Sequence, residues 1–130
     1  MQTRRMPHKL RVDTEDLKYT KGNDYYGVEY DYQGQPFTGF KISGYYRNGQ
    51  IVGECEYVNG EQIGWDIQFF ENGNVETESL SYGATSVYFA NFNEDGTKIG
   101  SHFFAPEFLE EVCKITGEDP ENVRRAHLDN

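Results

Sequence analysis

The sequence predicts a mainly β protein: a meander of consecutive antiparallel hairpins in an open twisted sheet, with two short C-terminal helices. Three observations carry that expectation. Asn-Gly stands between segments of alternating apolar and polar residues in Tyr57-Val58-Asn59-Gly60-Glu61, a strong short-range hairpin signal, and similar punctuation recurs at Tyr46-Arg47-Asn48-Gly49, Phe70-Glu71-Asn72-Gly73, Ser81-Tyr82-Gly83 and Asn93-Glu94-Asp95-Gly96. The turn glycines fall at 49, 60, 73, 83 and 96, so alternate ones lie 24, 23 and 23 residues apart, the mark of a stacked two-strand repeat. Beyond Ala105-Pro106 the apolar period changes to a helical one.

The elements follow in order. Residues 1–22 form a polar lead-in, with Leu10-Arg11-Val12 and Asp16-Leu17-Lys18-Tyr19 as short strands. Asp24 to Tyr32 alternates as a tyrosine-rich strand, and Gln33-Gly34-Gln35-Pro36 turns the chain because Pro36 has no N–H for a ladder. Phe37–Tyr46 is the next strand, followed by strands near 50–57, 61–70, 74–81, 86–92 and 98–104, completing a hairpin sheet over 23–104. In the cap at 105–130, Phe108, Leu109 and Val112 recur at helical spacing, Pro106 suits a first turn and Gly117 a helix end. Asp119-Pro120-Glu121 caps a second helix ending near Leu128, with Arg124, Arg125 and His127 at the end where the helix dipole favours cations. The whole is expected to be one domain of 130 residues.

Composition bounds the function. Twelve basic against 22 acidic residues give a formal charge of −10, which repels nucleic acid and anionic membrane and attracts a basic partner. The imbalance is local: residues 1–22 hold six Lys/Arg and three acids, leaving −13 on the remainder. Cys55 and Cys113 are expected to be free thiols of a reducing compartment. No apolar run approaches the length of a membrane span or signal core, and Met1 reads as a true start, so a soluble cytoplasmic protein is expected.

Register decides which side chains share a face. A two-residue Asn59-Gly60 turn would pair Glu56 with Ile63 and Glu54 with Trp65. A three-residue loop, Val58-Asn59-Gly60, pairs Cys55 with Ile63 and Gly53 with Trp65. It collects Ile51, Cys55, Tyr57, Ile63, Trp65, Ile67 and Phe69 on one side, and this better segregation makes it the expected register. The same loop at Glu71-Asn72-Gly73 adds Val75, Thr77 and Ser79 to that side. The opposite side then gathers Glu54, Glu56, Gln62, Asp66, Gln68, Phe70, Asn74, Glu76, Glu78 and Tyr82, with Asp66 directly across from Glu78. Such a like-charge pair costs up to about 1 kcal/mol, which a cationic partner would relieve; equally, the carboxylates would serve only to keep a wide sheet soluble. Phe40, Ile42 and Tyr46 fall on this acidic side and need a cover, from either the N-terminal segment or a C-terminal helix.

Chemistry finds little support. His8, His102 and His127 are far apart in sequence with no ligand spacing, so no metal site is expected. Ser101-His102 lacks a supporting acid, the glycines follow turns rather than a phosphate loop, and Glu76/Glu78 imply no enclosed cleft. The expectation is a protein with no catalytic residues and no cofactor.

Tyr-x-Asn-Gly-x-x-x-Gly, at Tyr46–Gly53 and Tyr57–Gly64, resembles the MORN repeat, with Phe70–Gly73 and Phe92–Gly100 as degenerate copies. Together with Arg11-Val12-Asp13, Tyr25-Tyr26 and Pro36-Phe37-Thr38-Gly39, the pattern over residues 10–104 resembles bacterial MORN-variant antitoxins, immunity partners of polymorphic or contact-dependent toxins. Thr77 stands where a repeat glycine is expected, and the C-terminal helices fall outside the pattern. The resemblance implies an immunity protein that binds and occludes a cognate basic toxin domain, in many such systems a nuclease, and it brings no catalytic residues. The docking surface expected is the acidic side, through Glu54, Glu56, Asp66, Gln68, Phe70, Glu76, Glu78 and Tyr82. The alternative is a non-enzymatic MORN-type scaffold that binds through a strand edge or the helices. The sequence leaves the oligomeric state open.

Overall fold

The computed structural model describes residues 5–23 and 27–129. Asp24, Tyr25 and Tyr26, at the head of the strand expected over 24–32 and within the motif that carries the resemblance, lie outside the described residues. The strands are β1 (Arg11–Asp13), β2 (Lys18–Asn23), β3 (Gly27–Tyr32), β4 (Gln35–Pro36), β5 (Gly39–Tyr45), β6 (Ile51–Val58), β7 (Glu61–Phe69), β8 (Val75–Tyr82), β9 (Thr85–Phe92) and β10 (Lys98–Phe103). Helices α1 (Leu109–Thr116) and α2 (Pro120–Leu128) follow. Seven strands make an open sheet in the order β1-β5-β6-β7-β8-β9-β10, with β1 parallel to β5 and the remaining neighbours antiparallel. A second, three-stranded sheet has the order β2-β3-β4. The expected class holds: mainly β, an open sheet of consecutive antiparallel strands, and two short C-terminal helices.

The 23–24-residue period is the distance between turns at one end of the sheet. There, Tyr46–Gly49, Phe70–Gly73 and Asn93–Gly96 are built alike: each glycine is left-handed, at φ 90°, 93° and 91°, and donates its N–H to the first residue of its turn. The turns are laced together by side chains. Asn48 Oδ1 accepts the N–H of Gln50 while its Nδ2 donates to the carbonyl of Glu71 at 2.8 Å. Asn72 does the same one repeat later, accepting from Asn74 and donating to Glu94 at 2.8 Å. In the third turn Asp95 accepts the N–H of Thr97 but has no amide to donate, and the array of turns ends there.

At the other end of the sheet the expected three-residue loop is wrong. Val58 pairs with Glu61 across a two-residue Asn59-Gly60 turn, with both residues left-handed at φ 50° and 87°. Between Tyr57↔Gln62 and Cys55↔Asp66 the register shifts by a bulge, in which Ile63-Gly64-Trp65 of β7 lie opposite Glu56. The three-residue loop at Glu71-Asn72-Gly73 does form, but a second bulge between Gln68↔Thr77 and Phe69↔Val75 leaves Glu76 unpaired and reverses the faces beyond it. Asp66 therefore stands opposite Ser79, and Glu78 opposite Ile67. Asp66 and Glu78 point to opposite sides of the sheet, and the acidic face expected from the sequence does not exist.

What forms instead is a core on the side that holds the glutamates. Trp65, Ile67, Phe69, Val75, Leu80, Tyr88 and Ala90 line this inner face, together with Phe40, and α1 packs Leu109, Val112 and Cys113 onto it while α2 adds Val123. Pro106 opens a single 3₁₀ turn before α1, Gly117 ends that helix at φ 83°, and Asp119 accepts the N–H of Glu121 to start α2, all at the expected positions. Of the two expected covers, the N-terminal segment supplies the contact over Phe40, where the Arg11 guanidinium lies 4.2 Å above the ring, while Phe40 and Ile42 share one cluster with the helix residues. On the outer face Val12, Phe37 and Tyr57 form a smaller cluster with Leu17, Tyr30, Tyr32 and Cys55, roofed by the three-stranded sheet. Cys55 and Tyr57 thus lie across the sheet from Trp65, not beside it. No helix among the described residues is long and apolar enough to cross a membrane.

Candidate functional site

The eight residues expected to form one docking face are distributed over three places. Glu54, Glu56 and Glu78 are inside, at 1%, 0% and 6% exposure. A buried carboxylate needs a cation and hydrogen bonds, because the low-dielectric interior penalises an isolated charge by several kcal/mol. Residues 5–11 supply one cation to each glutamate. Arg11 Nε donates to Glu54 at 2.9 Å, Lys9 Nζ pairs with Glu56, and Arg5 makes a two-pronged contact with Glu78 through Nε at 3.2 Å and NH2 at 2.9 Å. Lys9 Nζ also donates to the carbonyl of Thr116 at 2.5 Å, and so joins the lead-in, β6 and the end of α1. Burial holds the Glu56 carboxyl above its usual range, opposed by Lys9 and by the Trp65 N–H, which donates to Oε1 at 3.2 Å. Gly64, at φ 112°, makes this possible: a Cβ there would stand 2.1 Å from Glu56 Oε1. The second glycine of the repeat motif is thus a close-approach residue.

Tyr82 is also on the inner side, stacked on Phe108 with ring centroids 5.6 Å apart. Asp66 and Gln68 remain on the outer face, half-buried, and Gln68 Nε2 donates to Asp66 Oδ1 at 3.1 Å. Phe70 and Glu76 reach the end of the sheet that carries the three laced turns.

That end is the most coherent exposed surface. Two shallow depressions, of about 510 and 370 Å³, meet there and share Phe70 and Glu94. Tyr46, Asn48, Glu71 and Asn72 complete the first; Glu76, Phe92 and Ile99 are among those lining the second. Glu71, Glu76, Glu94 and Asp95 are exposed, as is Ile99 at 60%. Among the residues of the three turns, Arg47 is the single cation. Glu71, Glu94 and Ile99 were not singled out from the sequence; the 23-residue spacing of the turns was the signal that would have brought the first two together.

Another depression, of about 570 Å³, lies on the inner side between residues 5–8, the sheet and the α1–α2 junction. Ile67, Phe69 and Val75 form its floor, and Arg5, Glu78 and Glu118 one wall. Ser101 and His127 also meet, with Oγ 2.7 Å from Nδ1. The His127 ring lies edge-on to Tyr88 and Phe103, and Lys98 Nζ donates to the carbonyls of Ala126 and His127 at 2.8 Å each, so this contact pins the end of α2 to β10. His102, by contrast, points to the outer face against Phe104. Among the described residues no three His, Cys, Asp or Glu side chains are grouped to hold a metal. Compared with known proteins, the chain matches no family model, no curated protein and no solved structure.

Proposed function

We propose that the chain is an immunity protein of the antitoxin type, which acts in the cytoplasm by binding a basic toxin domain and occluding its substrate-binding surface. The carrying observation is the placement of charge. Arg5, Lys9 and Arg11 neutralise Glu78, Glu56 and Glu54 internally, so nine basic and nineteen acidic residues remain and the full −10 is left to the rest of the chain. A cationic partner is attracted and oriented by that field. The docking surface is the acidic turn end, with Glu71, Glu76 and Glu94 as charges and Phe70 and Ile99 as apolar contacts. The sequence resemblance to MORN-variant antitoxins supports the same reading. Recognition is non-catalytic, and the toxin's own chemistry is not specified by these residues.

A scaffold function is favoured by a different observation: β10 is the outer strand of the large sheet, and Phe104 just beyond it is 60% exposed. One comparison separates the two. Co-expression with the basic C-terminal domain of a secreted protein encoded beside this chain is expected to rescue growth. The triple change Glu71→Lys, Glu76→Lys, Glu94→Lys should slow association at least about tenfold, and raising salt from about 50 to about 500 mM should slow it as well. A salt-independent rate, or loss of binding with Phe104→Ser but not with the triple change, would remove the immunity reading's docking surface in favour of the strand edge.

A further inference from the structure

We propose that Trp65, Glu78 and Glu118 form an arginine-recognition pocket, filled by the chain's own Arg5, and that an arginine of a basic partner protein takes Arg5's place. The guanidinium carbon of Arg5 lies 3.9 Å over the Trp65 ring, two of its nitrogens contact both oxygens of Glu78, and a third is 3.6 Å from Glu118 Oε2. A planar fork on a carboxylate with an aromatic platform selects arginine over lysine, whose ammonium offers neither the fork nor the stacking plane.

Two of the three walls, Trp65 and Glu118, have partners besides Arg5, whereas Glu78 is held by Arg5 itself. Trp65 donates its backbone N–H to Glu56 and its indole N–H to Glu118 Oε2 at 3.1 Å, while Glu118 Oε1 accepts from the Asp119 N–H at 2.9 Å and from Asn122 at 3.3 Å. The occupant sits differently. Residues 5–10 belong to no strand, so withdrawing the Arg5 side chain breaks no ladder. Beside it the 570 Å³ depression, with Ile67, Phe69 and Val75 beneath, leaves room for the residues flanking an incoming arginine. As a tethered competitor, Arg5 acts at an effective concentration on the order of millimolar, so a partner's arginine enters only when other contacts accompany it. The choice of a basic protein as partner rests on the function proposed above; the pocket's selectivity does not.

The test uses the full chain carrying Arg5→Ala, titrated with N-acetyl-arginine amide and N-acetyl-lysine amide and read by the emission of Trp65, the chain's single tryptophan, and by the thermal midpoint. The arginine amide is expected to shift the emission and raise the midpoint, with the lysine amide at least about tenfold weaker, and Glu78→Gln in the same background should abolish the response. A folded Arg5→Ala protein that ignores both amides, or answers them equally, overturns the proposal. If Arg5→Ala does not fold, Arg5→Lys is read the same way. If that also fails to fold, Arg5 is a fixed part of the core and the proposal falls. Either result leaves the charge-reversal experiment on the turn end undisturbed.

Discussion

Arg11 and Glu54 meet at 2.9 Å between Nε and Oε2, with the glutamate side chain fully buried and the arginine side chain 10% exposed. The guanidinium also donates to the carbonyls of Arg5, Met6 and Lys9 and lies 4.2 Å over the Phe40 ring, so one residue shapes the lead-in and covers the core. Removing only the carboxylate strands a buried cation. Glu54→Leu is expected to cost about 3–5 kcal/mol in urea unfolding, and adding Arg11→Met should recover part of that loss. A cost for Glu54→Leu under about 1 kcal/mol would mean a solvated carboxylate, contrary to its burial.

Gly64 gives a sharper steric prediction. Alanine there meets Glu56 Oε1 at 2.1 Å and Thr116 Cγ2 at 3.0 Å on a left-handed backbone. The backbone strain and the displaced buried carboxylate together should destabilise by about 3 kcal/mol or more. Gly100→Ala is the control, since its nearest contact is Asn91 Oδ1 at 4.0 Å, and it should stay within about 1 kcal/mol. Equal losses at the two positions would remove the close-approach role of the repeat's second glycine.

The laced turns can be taken apart one bond at a time. Asn72→Asp keeps the acceptor for the Asn74 N–H and loses the donation to Glu94; Asn72→Ala loses both. Losses of about 1 and about 2 kcal/mol are expected in that order. Hydrogen exchange of the Phe70–Gly73 and Asn93–Gly96 amides should accelerate in both variants. Exchange confined to the mutated turn would show that the turns are independent.

How far the sequence could be read follows from these same residues. Turns and helix ends were legible because their causes are local: Asn-Gly for a left-handed turn, Pro106 and Gly117 at the ends of one helical segment, Asp119-Pro120 at the start of the next. The faces were not. Asn59 adopts φ 50° and shortens its turn by a residue, and Glu76 is left out of the ladder, so each event moves the alternation onto the other side. A criterion that sends carboxylates outward must also fail where three of them are buried. The missing information was non-local, 43 to 73 residues away in sequence at Arg11 and Arg5. Its trace in the sequence was the surplus of three cations in residues 1–22, set against −13 on the remainder.

The thiols illustrate the outcome of that face assignment. Burial raises the Cys55 thiol well above its ordinary range, with the Asp66 charge adding to the shift, and it raises Cys113 to about 11. The two lie in clusters on opposite sides of the sheet and both are free. Iodoacetamide near pH 8 should modify native Cys113 about 100-fold more slowly than an ordinary thiol, and Cys55 more slowly still. Both should react at ordinary rates in urea, as intact-mass measurement would record. Rapid labelling of native Cys55 would mean that the three-stranded sheet does not roof it.

Acidification separates two carboxyls with opposite signs. Glu56 has a folded pKa raised above 4.5 by burial, so its contribution to stability is fully present below 4.5 and is lost as pH rises through the folded value. Asp95 is lowered below 3.8 by hydrogen bonds from Thr97, so its contribution is present above 3.8 and is lost as pH falls through its folded value. As pH falls through the folded value toward 4.5, therefore, stability measured against a Glu56→Gln variant should grow as protons are added, because the folded chain takes up the proton more readily than the unfolded one. Urea midpoints of the two proteins at several pH values would measure that difference. A difference that shrinks on acidification would mean that Lys9 more than offsets the burial of Glu56, and that the ionised pair is net stabilising.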